Sequence, residues 1–398
     1  MAEIISAATL LFLVMDPLGN IPIFLSVLED VAPERRMRVL LRELVLAFLV
    51  LVFAVGAHAV ADTLETADLI ITNGHVLVMD DSRTTLDAGV VVIKGSTIAA
   101  VGGHELLEQY RSDTVIDAGG DIVMPGMSNL HNHLSMVAFR GLGETNFKDR
   151  LFRVMFPLEK ALLSRELIRV AARQAAMESA LSGVTTVTDM YYHEDEVARS
   201  VAEVGVRGVL GETVIGFPVV DAAEPYGGLR YAEQFIKDWK GHHLVTPAVA
   251  PHAPYTVPPE WLRKSRELAE REGVPLLMHI AEMRNERELI ASNIGPIPED
   301  RSIIEYLDDI GFLSDKLVAA HVSHVDDDDI ALLRQRGVGV AHNPKANSRA
   351  TCGRWPAWRS TAAAFVASAA ARGQYNRAIS SSPWAAETKP ASNAEGAR

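Results

Sequence analysis

The stretch 125-PGMSNLHNHLSM-136 decides how the chain is read, because a short apolar run ends there in two histidines two residues apart. On an extended strand, positions i and i+2 project from the same side. His131 and His133 are therefore placed to reach one metal ion together. Alone the spacing is a weak signal, since ordinary surface histidines also fall two apart. Its weight depends on whether other strand ends carry matching groups.

Downstream, apolar strand candidates recur at 183–190, 204–214, 244–251, 274–281, 317–325 and 337–341. Amphipathic stretches such as SRELIRVAARQAAMESALSG and PPEWLRKSRELAEREG lie between them; their apolar residues keep helical spacing. Repeated strand–helix units predict an α/β chain with a parallel β/α barrel. Counting the strand that ends at His131 gives seven of the eight strands a closed barrel needs. Chemistry in such a barrel sits at the C-terminal ends of the strands. There the sequence places His252, then His279 with Glu282, then His321 with His324. One such histidine reads as a satisfied core residue, but recurrence at four strand ends favours a metal site. Imidazole ligands suit zinc, and iron or manganese fit nearly as well.

Upstream, ADLIITNGHVLVMDD, GVVVIKGSTIAAVGG and DTVIDAGGDIVMPG are β-branched runs broken by Asn-Gly, Lys-Gly and Gly-Gly turns. They predict a small antiparallel sheet, assigned as a β-sandwich domain over 64–125. The first sixty residues differ again. Residues 4–28 are apolar around MDPLGN, and 44–61 are apolar apart from His58, about the length that crosses a bilayer core. Two membrane segments over 1–61 are expected, with a secretory signal ending at Ala57–Ala59 or a soluble helix pair as the alternatives. Arg35, Arg36, Arg38 and Arg42 between the segments would stay cytoplasmic and put everything after Ala61 on the far side.

The 398 residues suffice for a large barrel with appendages. A net charge of -13 argues against a nucleic-acid partner, whose phosphates need clustered Lys and Arg. The single cysteine, Cys352, cannot form an internal disulfide.

PGMSNLHNH, FPLEKAL, SGVTTVTDM, APHAPYT, HIAE, AAHVSHV and AHNPKANS, in that order, resemble the amidohydrolase superfamily. The resemblance is to the branch of 5-methylthioadenosine/S-adenosylhomocysteine deaminases and chlorohydrolase-like enzymes. It implies a TIM barrel of metal-dependent hydrolase type over 126–352 and one divalent ion, most simply zinc, held by His131, His133 and His279. It implies deamination of a purine nucleoside-like small molecule, or of another ring amine such as guanine or a triazine. Glu282 would move protons and His321 would orient the attacking water. His252, Glu159 and the weaker candidate Arg207 would hold the substrate, while His324 and His342 would pack or cap. The cytoplasm is the site such an enzyme implies, against the outward side read from the arginines, and a homo-oligomer is left open. MAEIISAATLLFLVMDPLGNIPIFLSVL followed by RRMRVLLRELVLAFLVLVF resembles the start of the MarC family of integral membrane proteins, implying a membrane anchor.

The resemblance also implies a metal-binding aspartate at the end of an eighth strand, yet no aspartate follows Asp329. From Gly353 onward there is no leucine either, while Trp355, Trp358 and Trp384 appear among many Ala, Ser and Arg. The composition predicts an aberrant or disordered tail over 353–398, as from a frameshift near Cys352, a barrel truncated after its seventh strand and an impaired site.

Overall fold

The computed structural model describes residues 64–142, 150–344 and 346–347, with scattered positions between 32 and 49. Most of the two apolar N-terminal segments and the whole tail beyond Cys352 lie outside the described residues. The described positions from 33 to 49 are helical. Among the described residues, no helix is long and apolar enough to cross a membrane. The chain divides into two compact units between Pro125 and Gly126.

In the first unit, β1 (Leu69–Leu77), β2 (Thr85–Lys94) and β3 (Thr97–Gly102) form antiparallel neighbours. Strand β4 (Val115–Asp117) and β5 (Ile122–Val123) then pair with β1 in parallel. The sheet is therefore mixed, which corrects the antiparallel expectation. Between β3 and β4 the chain spends a 3-10 turn at His104–Glu108, and only such a crossover lets a strand return parallel. Alternation along β1 buries Ile70 against Val90 and Val92, with Leu106 and Tyr110 packed over them.

The second unit holds seven parallel strands in sequential order: β6 (Met127–Asn132), β7 (Val184–Tyr191), β8 (Arg207–Val214), β9 (Val245–Pro251), β10 (Leu276–Ile280), β11 (Leu317–His321) and β12 (Gly339–Ala341). The sheet is a nearly closed barrel whose end strands are β6 and β12. Strands β9 to β12 are apolar runs because both faces are covered, whereas β6, Met-Ser-Asn-Leu-His-Asn, is polar and exposed at its start. Inside, Met190, Val209, Ala248, Ala250 and Leu277 pack together. At Gly211 a Cβ would stand 2.8 Å from Ala250 and 2.9 Å from Leu277, so the lining tolerates no side chain there.

Outside lie α1 (Phe156–Leu162), α2 (Arg165–Leu181), α3 (Glu194–Val204), α4 (Gly228–Trp239), α5 (Pro259–Glu272), α6 (Glu286–Asn293), α7 (Ile303–Asp309) and α8 (Asp327–Gln335). Local chemistry fixes their ends. Ser164 accepts from Leu167 N at 3.1 Å, and Gly273 closes α5 at φ 67°. The acidic run at 326–329 is a capping box, in which Asp326 accepts from Asp329 N at 2.9 Å. The apolar run read as a strand from 204 to 214 starts three residues later. Val204 ends α3, and Gly205 at φ 88° turns the chain before β8 begins.

Phe312 is wholly buried in the layer between strands and helices, whereas Leu181 is 89% exposed. Phe312→Ala is expected to cost ~3–5 kcal/mol and Leu181→Ala less than about 0.5 kcal/mol, read from denaturant midpoints.

Candidate active site

The C-terminal ends of β6 and β10 carry the metal-ligand candidates. His131 is the fifth residue of β6 and His133 follows its last residue, at the entry to a 3-10 turn over Leu134–Phe139, and His279 is the fourth residue of β10. One ring nitrogen from each lies within 4.8 Å of the others. Nε2 of His133 and Nε2 of His279 are 3.3 Å apart. Backbone carbonyls set the tautomers. Nδ1 of His133 donates to Met190 O at 2.6 Å, and Nδ1 of His279 to His252 O at 2.7 Å. Each ring keeps its Nε2 lone pair for the shared centre, the donor geometry a divalent ion requires. Burial holds these imidazoles neutral. It lowers His133 to about 4, against the hydrogen bond to Met190, and takes His131 and His279 well below the usual histidine range, with neighbouring rings adding to the effect in all three.

Two further histidines complete the floor. The His252 ring centre lies 4.9 Å from that of His279; its Nδ1 is paired with Thr256 Oγ1 at 2.9 Å, and burial lowers its pKa to about 3. The His321 ring centre stands 5.1 Å from that of His131. Its Nε2 is 3.6 Å from Glu282 Oε1, and burial pushes the Glu282 carboxyl up to about 7. The backbone here is unusual: Ala281, His321 and Val322 have φ of 50°, 74° and 44°. Left-handed backbone at a β-branched residue costs energy and persists where its surroundings hold it. Backbone bonds from Val322 to Ile280 O at 3.0 Å and from Ser323 to Ala281 O at 2.9 Å supply that hold.

Glu159 arrives from the other side. It is buried in α1, and Tyr191 at the end of β7 donates its hydroxyl proton to Glu159 Oε1 at 2.8 Å. Burial raises Glu159 to about 7, against the hydrogen bond from Tyr191. Phe156, one turn before Glu159, packs on Phe217 at 5.0 Å and on His252 at 6.0 Å between ring centres. One short helix thus carries an aromatic side chain beside His252 and a carboxyl beside Tyr191.

Arg207 is not brought to this cluster. It is the exposed first residue of β8, about 23 Å of strand rise from the C-terminal end where the cluster lies. It was the weaker of the substrate candidates that the family resemblance implied, and it stands at the N-terminal end of its strand. His342 approaches the site through Asn347, whose Nδ2 is 3.5 Å from His342 Nδ1. His324 is half-buried in the loop after β11.

Several supporting residues escaped the sequence reading. Glu286, at the first position of α6, reaches back to accept from the backbone N–H groups of Ala281, Glu282 and Met283 at 2.9, 2.8 and 3.2 Å. It sets the path of the chain that presents Glu282. Asp189 Oδ1 accepts from Leu134 N at 2.6 Å and so fixes the residue after His133. Behind it Glu194, Glu212 and Asp221 form a buried acidic group, in which Glu212 accepts from Glu194 N at 3.0 Å and Asp221 from His193 N at 2.6 Å. Burial raises the Asp189 carboxyl to about 7, and burial with carboxyl neighbours raises Glu194 and Glu212 well above the carboxylate range. The one available signal was a carboxylate interrupting an apolar strand, as at Asp189 and Glu212.

The sequence profile of the amidohydrolase family matches residues 122–376, and that of the MarC family of integral membrane proteins matches 1–72. The chain is 38% identical over 289 residues to a 5-methylthioadenosine/S-adenosylhomocysteine deaminase of Syntrophobacter fumaroxidans, covering 72% of this chain and 65% of that one. To a 5'-deoxyadenosine deaminase of Methanosarcina acetivorans it is 33% identical, covering 74% and 66%. The chain thus spans about two thirds of the length of these relatives. Among solved structures, an adenosine deaminase from Xanthomonas campestris with bound zinc superposes with a TM-score of 0.67 at 26% identity, covering 72% of this chain and 65% of the other.

Replacing Glu286 by Ala is expected to strand three backbone donors and lower stability by ~1–3 kcal/mol for each one left buried, seen as a shifted urea midpoint. Zinc affinity, measured by chelator competition, should hold from about pH 7 to about pH 5, because neutral ligands do not compete with protons there. A loss beginning near the ordinary histidine pKa of about 6.5 would contradict the assigned burial.

Proposed function

Because the chain belongs to the amidohydrolase family, we propose that it is a metal-dependent aminohydrolase. The bond cleaved is the exocyclic C–N bond of a purine nucleoside-like substrate such as 5-methylthioadenosine or S-adenosylhomocysteine. The observation that carries this reading is the convergence of His131, His133 and His279 within 4.8 Å, with their shared centre beside Glu282 and His321. A divalent ion bound there, most simply zinc with iron or manganese as alternatives, lowers the pKa of a coordinated water toward neutrality.

The chain's own residues divide the remaining work. Glu282, with its proton held by burial, protonates the ring nitrogen next to the attacked carbon, takes up the proton that the adding water sheds, and passes it to the departing amine. Overall a C–O bond forms, the C–N bond breaks and ammonia leaves. His321 orients the water. Glu159 is suited to accept hydrogen bonds from sugar hydroxyls, and Tyr191 keeps that carboxyl in place. His252 lines the floor beside Phe156, where a flat base can lie. The enzymatic relatives support a nucleoside over other ring amines, since the two with the fuller sequence match are named for adenosine derivatives.

Membrane attachment through residues 1–61 is part of the same proposal. It is supported by the MarC profile match and by the exposed Met37, Leu41, Val45 and Leu49, which recur at four-residue intervals on helical backbone.

A second reading is a catalytically inactive, membrane-tethered remnant. The composition of residues 353–398 favours it, because that stretch, where the family resemblance places an eighth strand with a metal-binding aspartate, holds neither aspartate nor leucine. Purified chain loaded with zinc separates the two. The aminohydrolase reading expects about one bound metal and an ultraviolet change as 5-methylthioadenosine becomes its inosine analogue, with Glu282→Gln lowering kcat by about 100-fold or more. Metal binding without turnover of any nucleoside or ring amine would leave the remnant reading standing.

A further inference from the structure

We propose that Asn347 is a positioning residue of this site. It holds His321 in the tautomer that carries its proton on Nδ1, so that the Nε2 lone pair is presented to Glu282 and the histidine cluster. The proposal rests on the aminohydrolase reading for its kinetic arm alone.

Both side chains are buried, His321 at 4% and Asn347 at 3% exposure. Asn347 Oδ1 lies 2.7 Å from His321 Nδ1. An imidazole nitrogen has one in-plane site, filled by either a proton or a lone pair. An amide oxygen at 2.7 Å requires the proton there. The competing contact, Asn343 Nδ2 to the same Nδ1, is 3.4 Å long and demands the opposite tautomer. The shorter contact decides, because N–H···O hydrogen bonds span about 2.7–3.2 Å and the Asn343 contact at 3.4 Å is longer than a well-made bond.

The consequence appears at the other ring nitrogen. Glu282 Oε1 is 3.6 Å from Nε2, so a proton on the carboxyl or on an intervening water has an acceptor to point at. Without Asn347 the ring is free to carry its proton on Nε2 and turn a donor toward the same place. The placement of the amide is itself built. The backbone N–H of Asn347 donates to Asn343 O at 2.8 Å, closing a turn just after β12. The backbone that carries the ring is left-handed at His321 and Val322 and is held by the bonds from Val322 and Ser323, so the ring is presented from a fixed Cα.

The test uses the full chain labelled with 15N, in alkaline buffer where imidazoles are neutral. Long-range 1H–15N spectra are recorded for the unmodified protein, Asn347→Asp, Asn347→Leu and, for assignment, His321→Gln. His321 should show a protonated Nδ1 and a bare Nε2 in the unmodified chain and in Asn347→Asp, which keeps an oxygen acceptor. Asn347→Leu should lose that signature. In the zinc-loaded chain Asn347→Leu should lower kcat by about 10- to 100-fold with KM within about threefold, and Asn347→Asp should recover most of the loss. A proton on Nε2 in the unmodified chain, or an unchanged signature in Asn347→Leu, overturns the proposal. A zinc-loaded chain that turns over no nucleoside sinks the functional reading instead, and the tautomer still decides this one.

Discussion

His133 and His279 each give their Nδ1 proton to a carbonyl oxygen of the neighbouring strand, at 2.6 and 2.7 Å. An imidazole buried among other imidazoles cannot hold a second proton, and the carbonyl dictates where the single proton sits. Because the acceptors are backbone atoms, the geometry of the histidine cluster follows the register of the barrel and not the rotamer of another side chain. A slip of one residue between β6 and β7, or between β9 and β10, would turn the rings away and abolish the shared centre. The apolar lining, the glycine at 211 and the helices outside are what keep that register.

Around this core the chain adds a set of tethers made by carboxylates carried on strand β7 and on helices α6 and α1. Asp189 holds the residue after His133, Glu286 holds the three residues around Glu282, and Tyr191 holds Glu159. Each spans two elements of the fold. In a barrel whose end strands β6 and β12 are the edges of the described sheet, such tethers let strand ends keep their places without a continuous ring of ladder bonds.

Much of this was legible in the sequence for a physical reason. A parallel strand buried on both faces reads as an unbroken apolar run, so a polar residue at its end stands out, as His252, His279 and His321 do, while His131 is marked by its spacing from His133. Direction along a strand is less legible, and Arg207 shows it: a basic residue beside an apolar run looks alike at either end. The start of β8 was misplaced because Val204, the last residue of α3, and Val206 extend the apolar run backwards, and only the left-handed turn at Gly205 separates helix from strand. The mixed sheet of the first unit was hidden because the turns suggested hairpins, while the crossover after β3 leaves no compositional mark. Tethering carboxylates are the hardest to read, since Glu286 looks like any acidic helix start until its three backbone donors are seen.

The buried acids also bear on how the native molecule carries charge. Counting residues gives -13 and an isoelectric point near 5.5, with every Asp and Glu taken as ionised. Glu194 and Glu212 are held protonated well above the carboxylate range, and Asp189, Glu159, Glu282 and Glu286 titrate near neutrality. The folded chain is therefore less anionic than its composition, and it migrates in an electric field as a weaker acid. When it unfolds at neutral pH these carboxyls return to ordinary values and shed their protons into the buffer. Through these groups alone, alkaline solution favours the open chain and mildly acidic solution the closed one.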